Sequence, residues 1–209
     1  MKIQNRGITL VELLVVLSIF LLISAGATRI FVTNLRSQRI ILAEQLLLDQ
    51  ANYIVEYMSR ALRMAKKELN CTDPADFTTC KPFYPENPSY CLTKAGYGYN
   101  YEIIGEGEGI RFINPMRRYE GKYACQEFYL EDGILKEEII KPFPLEPTPL
   151  LSDRIRVNSE KFGFTVSGNS QYDDLQPKVT INMEFEIPEE NLKINVQNTI
   201  SQRDLDVEY

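Results

Sequence analysis

The sequence predicts an α+β protein in which one long N-terminal helix packs on a mainly antiparallel β-meander. Three observations predict this class. An apolar segment near the N-terminus is followed by an apolar stripe with helical spacing, and the second half of the chain alternates apolar and polar residues between turn signals. The 209 residues leave room for one compact domain plus an extended element.

The N-terminal apolar segment has the length of a membrane-spanning helix. From Ile8 to Thr28 the only charged residue is Glu12. A helix over these residues would be about 31 Å long, close to the thickness of the hydrocarbon core of a bilayer. Lys2 and Arg6 supply the positive charge expected on the cytoplasmic side. A plain anchor, a cleaved secretory signal and a cleaved leader all fit these features.

The secretory alternative has a cleavage pattern of its own, because Ser24-Ala25-Gly26-Ala27 offers small residues of the kind that signal peptidase requires. Two features disfavour loss of the whole segment. Glu12 interrupts the apolar stretch, where an ionised carboxylate is costly unless it has a partner. Helical spacing of apolar residues also continues beyond Ala27 without a break. The apolar and polar parts are therefore predicted to form one continuous helix.

The first residues carry a family resemblance. Arg6-Gly7, followed by Ile8-Thr9-Leu10-Val11-Glu12 and the apolar run from Leu13 to Leu17, resembles the N-terminal signature of type IV pilins and pseudopilins. The resemblance implies that prepilin peptidase cuts after Gly7, that Ile8 becomes an N-methylated N-terminus, and that Glu12 acts in assembly. Ile8 departs from the Phe that is most usual in the family. The motif covers about a tenth of the chain.

The chemistry of these positions agrees with the resemblance. A glycine before the scissile bond has no Cβ, so the peptidase can approach the backbone closely. Cleavage would create an ammonium group at Ile8. That group on a neighbouring subunit is a plausible partner for Glu12, and the pair would set the register between packed helices. The alternative is that Glu12 reaches the membrane interface near the helix end.

The helix is predicted to continue to about Leu69 as an amphipathic segment. Its apolar residues recur at steps of three and four: Leu47, Ala51, Ile54, Met58, Ala61 and Ala65, with Val55, Leu62 and Leu69 widening the stripe. A covering sheet is the favoured interpretation, and a coiled-coil partner helix is the alternative. Lys66 and Lys67 suit a last helical turn, and Asn70 with Asp73-Pro74 ends it.

All four cysteines, Cys71, Cys80, Cys91 and Cys125, follow the apolar segment. They contain no C-x-x-C pair, and the chain has no His to complete a zinc site. Outside the cytoplasm two disulfides are the natural prediction, with three possible connectivities; buried free thiols are the alternative. Three of the cysteines lie in a proline-rich, loop-like stretch from Cys71 to Gly98, which disulfides would hold together.

The rest of the chain predicts strands. The predicted pairs are Tyr99–Ile104 with Ile110–Ile113, Tyr123–Leu130 with Ile134–Ile140, Arg154–Asn158 with Phe162–Val166, and Lys178–Ile187 with Leu192–Ile200. Asp132-Gly133 is a strong hairpin signal within the second pair. A proline-rich link runs from Pro142 to Pro149. Alternating aromatics at Tyr97, Tyr99 and Tyr101 indicate strand packing in preference to sugar stacking.

Charge and composition argue against several functions. The net charge is −6, and −8 once residues 1–7 are removed, so no nucleic-acid partner is expected. The lack of His removes the commonest general base and metal ligand, and we predict no catalytic residues, no cofactor and no metal site. Asp173-Asp174 and the acidic Asp204, Asp206 and Glu208 could hold calcium, but they lack an EF-hand pattern.

A weaker resemblance extends over the second half. Four segments resemble J-type minor pseudopilins of type II secretion and W-type minor pilins: Glu56–Arg63, Leu150–Asp153, Gln176–Val179 and Val196–Ser201. The resemblance implies a non-enzymatic minor subunit of the inner membrane, assembled with other pilins at the filament tip. Its parts would be a leader (1–7), a transmembrane helix (8–28), an amphipathic helix (29–70) and an extracytoplasmic head (71–209). A membrane-anchored adhesin or binding module, a major pilin and an exported enzyme are the alternatives.

Overall fold

The computed structural model describes residues 9–67, 69–70, 81–82, 91–92, 100–119, 122–141, 144–169 and 175–203. The long helix α1 spans Leu10–Arg63 and is followed by antiparallel strands, which confirms the predicted α+β class and its pilin-like architecture. The chain divides into two compact units, Met1–Glu44 and Gln45–Tyr209. Helix α1 contributes its first part to one unit and its last part to the other. We call residues 45–209 the head from here on; this unit includes the last part of α1, whereas the head predicted from the sequence starts at residue 71.

Within the head, the predicted apolar stripe of α1 is buried. Leu47, Ala51, Ile54, Met58 and Ala61 are at most 9% exposed. Their spacing of three and four residues places them on one face of the helix, and the strands of the head cover that face. The apolar stripe is therefore covered by strands, as the favoured interpretation predicted, and not by a second helix as in the coiled-coil alternative.

Helix α1 ends at Arg63, several residues before the predicted end near Leu69. The N–H groups of Met64 and Ala65 donate to carbonyls three residues back, which tightens the last turn. Lys66 then forms a β-bridge with Ile113, and its N–H donates to the Ile113 carbonyl at 3.1 Å. Ala65 is still buried, so the apolar spacing continues after the helical backbone has stopped.

Seven strands follow in two antiparallel sheets. The short strands β1 (Leu69–Asn70) and β2 (Lys81–Pro82) pair with each other. A five-stranded meander then contains β3 (Tyr101–Ile104), β4 (Gly109–Tyr119), β5 (Lys122–Glu131), β6 (Ile134–Lys141) and β7 (Thr148–Pro149). Asp132 and Gly133 both have positive φ, 51° and 72°, as the predicted Asp-Gly turn between β5 and β6 requires. The two-residue β7 lies inside the predicted proline-rich link.

A four-stranded sheet contains β8 (Arg156–Val157), β9 (Gly163–Ser167), β10 (Lys178–Ile187) and β11 (Leu192–Ser201). The predicted hairpin of β10 and β11 is confirmed, with ten consecutive residue pairs. The predicted pairing of β8 with β9 is wrong, because both strands pair with β10. A 3-10 turn at Ser159–Lys161 separates them, so they lie one after the other along β10.

The last part of α1 is bonded to both larger sheets. The hydroxyl of Tyr101 in β3 donates to the Leu62 carbonyl at 2.7 Å. The amide of Asn198 in β11 donates to the Ser59 hydroxyl at 2.8 Å. Phe112, Phe128 and Phe185 are fully buried in the core of the head. These bonds fix the helix at the junction of the two sheets.

Candidate functional site

The first part of α1 exposes apolar side chains on every face. The large apolar residues from Leu10 to Ile23 are between 49% and 77% exposed. The helix is long and apolar enough to cross a membrane. Leaving this surface in water costs about 25 cal/mol per Å², so lipid or other apolar helices are the surroundings that it fits.

The helix begins with a capping interaction at the predicted assembly residue. The N–H of Glu12 donates to the Thr9 hydroxyl at 3.3 Å, and the N–H of Leu13 donates to the Thr9 carbonyl at 3.2 Å. Thr9 is therefore the N-cap, and Thr9-x-x-Glu12 has the spacing of a capping box. Thr9 was not predicted as a cap from the sequence, although the Thr-x-x-Glu spacing was the available signal.

The carboxylate of Glu12 lies in the first turn, where the helix dipole favours negative charge. Its side chain is exposed, and no described residue forms an ion pair with it. The group is thus open to a partner from another molecule. The processing positions Gly7 and Ile8 lie outside the described residues.

One disulfide joins Cys91 to Cys125 in β5, with Cα atoms 5.5 Å apart and a sequence separation of 34. Both cysteines are buried and form a small core with Leu92 and Ile113. The sequence predicted disulfides and left their pairing open. Cys71 and Cys80 lie outside the described residues.

Other residues singled out from the sequence have different outcomes. Tyr101 is 2% exposed, packs against Phe112 and has its pKa raised by burial, which confirms a packing role. Tyr97, Tyr99, Asp173, Asp174, Asp204, Asp206 and Glu208 lie outside the described residues. No group of three His, Cys, Asp or Glu side chains that could hold a metal ion occurs in the described part of the chain.

A buried polar network ties α1 to the five-stranded sheet. The Tyr57 hydroxyl donates to Glu137 at 2.8 Å, and Arg117 forms a salt bridge with the same carboxylate at 2.9 Å. Gln126 donates to Glu137, and Asn114 donates to Gln126 at 2.6 Å. Burial, followed by the Glu137 hydrogen bond, raises the pKa of Tyr57, which therefore remains a donor at neutral pH.

An open groove of about 780 Å³ lies beside this network. Four arginines contribute to its lining together with apolar side chains and Asn114; the described lining residues are Tyr57, Arg60, Ala61, Arg63, Met64, Asn114, Met116, Arg117 and Arg203. These residues include no carboxylate, thiol or imidazole. The groove can attract anions, but it offers no nucleophile paired with a base.

Comparison with protein families identifies the N-terminal segment. Residues 3–28 match the family model of the prokaryotic N-terminal methylation motif. The chain carries a prepilin-type N-terminus. The match supports a protein of the type IV pilin and pseudopilin family, and it covers the predicted cleavage position, the predicted methylation position and Glu12. No curated protein and no solved structure matches the chain.

The prepilin-type motif and the exposed helix agree with each other. The motif implies processing by prepilin peptidase and assembly with other pilins. Residues 10–28 of α1 lie within the matched segment, and the same helix continues to Arg63 in the head. Together they fit a membrane-anchored, single-pass protein with a structural role.

Proposed function

We propose that the chain is a non-enzymatic minor subunit of a type IV pilus or a type II secretion pseudopilus. The observation that carries this proposal is the continuity of α1: the helix that begins within the prepilin-type motif also supplies a buried face of the head. Residues 8–28 would lie in the inner membrane before assembly and in the filament core afterwards. The head would lie in the periplasm or outside the cell.

Processing is the first step that the proposal requires. Prepilin peptidase would remove residues 1–7 and leave Ile8 as a methylated N-terminus. We expect mass spectrometry of the membrane-derived protein to find this N-terminus, and Gly7→Val to accumulate precursor, because a Cβ obstructs the scissile bond. Gly26→Ala is the matched control, since a Cβ at Gly26 meets no atom within 4 Å. An N-terminus at Thr28 would refute the proposal in favour of a secretory signal.

Assembly would then use Glu12. We propose that its carboxylate pairs with the Ile8 ammonium of a neighbouring subunit as both helices enter an apolar environment. Both Glu12→Gln and Glu12→Leu keep the backbone N–H that donates to Thr9, so the cap is retained while the charge is lost. Both variants should remain in the membrane and be depleted from sheared filaments.

Glu44→Gln provides the control for Glu12, because Glu44 is also an exposed acid of α1. It should be incorporated like the wild type. Thr9→Ala removes the cap and keeps the charge, so it separates helix initiation from charge pairing. Normal recruitment of Glu12→Leu into filaments would show that Glu12 has only an interfacial role.

The J/W-like, tip-located assignment is the finer part of the proposal. The head contains two larger sheets, a two-stranded sheet and a disulfide-linked segment beyond the helix, so it is bulky for a repeating array. At a filament end one side of such a head meets no neighbour. A complex with other minor subunits could use a standard interface of roughly 1,600 Å².

Copy number tests this position directly. We expect low abundance of the chain in sheared filaments by quantitative proteomics, and loss of filament initiation when the gene is deleted. If the chain is the most abundant subunit of the shaft, it is a major pilin and the tip assignment is wrong.

The arginine-lined groove favours a second candidate, an exported binding module for an anionic ligand. No described acidic residue forms an ion pair with Arg63 or Arg203. Titration of the full-length protein in detergent with a fluorescent polyglutamate peptide tests this candidate. Saturable binding that Arg63→Gln and Arg203→Gln weaken would support it, whereas unchanged binding by both variants would exclude the groove.

A further inference from the structure

Strand β11 lies at the edge of its sheet. It pairs with β10 over ten consecutive residues and has no second partner strand among the described residues. The pairing has no register shift, and the strand contains no proline. Such an edge presents a regular row of backbone donors and acceptors.

The direction of these groups follows from the bonds at the end of the strand. The N–H of Gln202 donates to the carbonyl of Pro177, the continuation of β10, at 3.0 Å. Alternation along an antiparallel strand then turns the backbone groups of even-numbered residues toward β10 and those of odd-numbered residues away from it. The outward N–H of Arg203, which donates to the Arg63 carbonyl at 2.8 Å, agrees with this assignment.

The outward groups belong to Lys193, Asn195, Gln197 and Thr199. Within the described part of the chain, no hydrogen bond reaches the backbone of these four residues from the side away from β10. Their side chains are exposed. Residues 193 to 199 extend over about 20 Å at the rise of an antiparallel strand, which is enough to pair with a complete strand.

Four other strand edges of the described head are short or are engaged at one of their residues. The Asn169 side chain covers β3, accepting from the N–H of Tyr101 at 3.2 Å and donating to its carbonyl at 2.8 Å. Strand β7 has only two residues and ends in Pro149. The N–H of Val157 in β8 donates to the Gly133 carbonyl, and the N–H of Phe164 in β9 donates to the Gly107 carbonyl, both at 2.9 Å.

The single charged residue of β11 does not protect its edge. A lysine on an edge strand normally projects its charge and discourages pairing. Here Lys193 pairs with Glu186, directly opposite in β10, at 2.9 Å. That salt bridge holds the ammonium over the hairpin, and Asn195, Gln197 and Thr199 leave the rest of the edge uncharged.

We propose that an extended segment of a different filament subunit adds to β11 as a further strand. This inference rests on the proposed filament function. Strand β11 of a second copy does not fit as an antiparallel partner, because pairing β11 with its own counterpart edge to edge needs a two-fold axis. Subunits whose membrane helices all point the same way along a filament are not related by such an axis.

The edge also specifies the chemistry of the incoming segment. Its residues beside Asn195, Gln197 and Thr199 would be polar and uncharged, since they extend the exposed face. Its alternate residues would be apolar, because they extend the half-buried face that contains Ile194 and Val196. The predicted partner sequence is therefore a strand of alternating apolar and uncharged polar residues without an interior proline.

Hydrogen exchange with single-amide resolution tests the inference on full-length protein. In detergent, the amides of 194, 196 and 198 should be protected and those of 195, 197 and 199 should exchange freely. In sheared filaments we expect the second set to slow by at least about tenfold as well. If the amides of 195, 197 and 199 exchange freely in filaments that contain the protein, strand addition is overturned, whereas the filament function is not.

Two further outcomes of this exchange experiment are distinct. Absence of the wild-type chain from sheared filaments overturns the filament function, and the partner with it. Protection of 195, 197 and 199 in detergent that rises with protein concentration shows pairing between two copies and overturns the different-subunit partner.

Substitutions at Gln197 separate the backbone from the side chain. Gln197→Pro removes an outward N–H that the sheet does not use, a position where edge strands tolerate proline. Gln197→Ala removes the side chain and keeps the N–H. We expect the proline variant to be depleted from filaments at least about tenfold and the alanine variant to be incorporated normally.

The Gln197→Pro variant is folded if it retains the Cys91–Cys125 disulfide and if its near-ultraviolet circular dichroism spectrum matches that of the wild type. If that variant unfolds, Thr199→Pro replaces it, because its N–H also points outward. Normal incorporation of a folded proline variant overturns the proposal, and equal depletion of Gln197→Ala assigns the contact to the side chain instead.

Discussion

The two ends of α1 use the same kinds of residue in opposite ways. Leu14 is 60% exposed in the first unit, whereas Leu62 is fully buried in the head. The difference lies in the spacing of the apolar residues. Around Leu14 they occupy every face of the helix, and around Leu62 they occupy a stripe that the sheets cover. The head contains its own cover, and the first unit needs one from outside.

Alanine substitutions of Leu14 and Leu62 test this difference between the two units. Leu62→Ala should lower the free energy of unfolding of the head by about 3–5 kcal/mol, because it removes a fully buried side chain and leaves a cavity. Leu14→Ala should leave that free energy unchanged. Urea unfolding of full-length protein in detergent, followed by tyrosine circular dichroism, measures both variants.

Equal destabilisation by the two leucine variants would contradict this difference between the two units. It would mean that the first part of α1 also supports the head. We further expect Leu14→Ala to weaken association with membranes, because Leu14 offers its surface to lipid. The folded fraction of Leu62→Ala should associate with membranes like the wild type.

The Cys91–Cys125 disulfide offers a second test, because it lies in the head and not in the first unit. Replacing Cys91 and Cys125 together by serine should cost about 2–4 kcal/mol of head stability, since the bridge restricts the unfolded chain. Membrane anchoring should be unchanged. The same urea experiment measures the cost, and equal midpoints for the wild type and the double variant would contradict it.

The pairing predicted for all four cysteines has a separate readout. Thiol labelling of denatured, unreduced protein from the envelope should find no free thiol. Four labelled cysteines would contradict both the observed bridge and the second bridge predicted from the sequence.

The bond between Tyr57 and Glu137 tests how the helix is held on the sheet. Tyr57→Phe should destabilise the head by about 1–2 kcal/mol, because a nearly buried carboxylate loses one donor and keeps Arg117 and Gln126. Tyr53→Phe is the control, since Tyr53 is 61% exposed on the same helix. Equal urea midpoints for both variants would show that the network contributes nothing measurable.

The smallest effect is a pH dependence that differs between the two larger sheets. Hydrogen bonds from Lys161 and Asn158 lower the pKa of Glu184 in β10, so its contribution is present above about pH 4.5 and lost as the pH falls through the folded-state pKa. Burial raises the pKa of Glu127 in β5, against the opposing effect of Arg111. Its contribution is therefore lost as the pH rises through the folded-state pKa.

Glutamine variants separate these two signs. Between about pH 3 and pH 7, the stability difference between the wild type and Glu184→Gln should grow with rising pH. The difference between the wild type and Glu127→Gln should move in the opposite direction. Parallel curves for the two variants would show that the environments of the two carboxylates do not differ in the way described.

The sequence predicted those parts of the fold that local chemistry determines. The stripe from Leu47 to Ala61 and the turn at Asp132-Gly133 follow from helical spacing and from residues that tolerate positive φ. The prepilin-type motif is likewise local. These features needed no knowledge of which strands meet in space.

The features that were predicted wrongly or left open depend on partners that are distant in the sequence. The end of α1 at Arg63 is set where Lys66 pairs with Ile113. Strands β8 and β9 pair with β10 because a 3-10 turn keeps them in line, and apolar alternation alone does not reveal that geometry. The partner of Cys91 and the open edge of β11 require the sheet order, which spacing does not encode.

The hydrogen bonds between the end of β11 and the end of α1 have a mechanical consequence. The N–H of Arg203 donates to the Arg63 carbonyl, and the Gln202 side chain donates to the Ala65 carbonyl, so the end of β11 is fastened directly to the end of α1. Tension applied along α1 reaches the four-stranded sheet through these bonds, without passing along the covalent chain between residues 66 and 201. The hydrogen bond from the Asn198 amide to the Ser59 hydroxyl adds a third link of the same kind, so a pull on the helix loads β11 at several points at once.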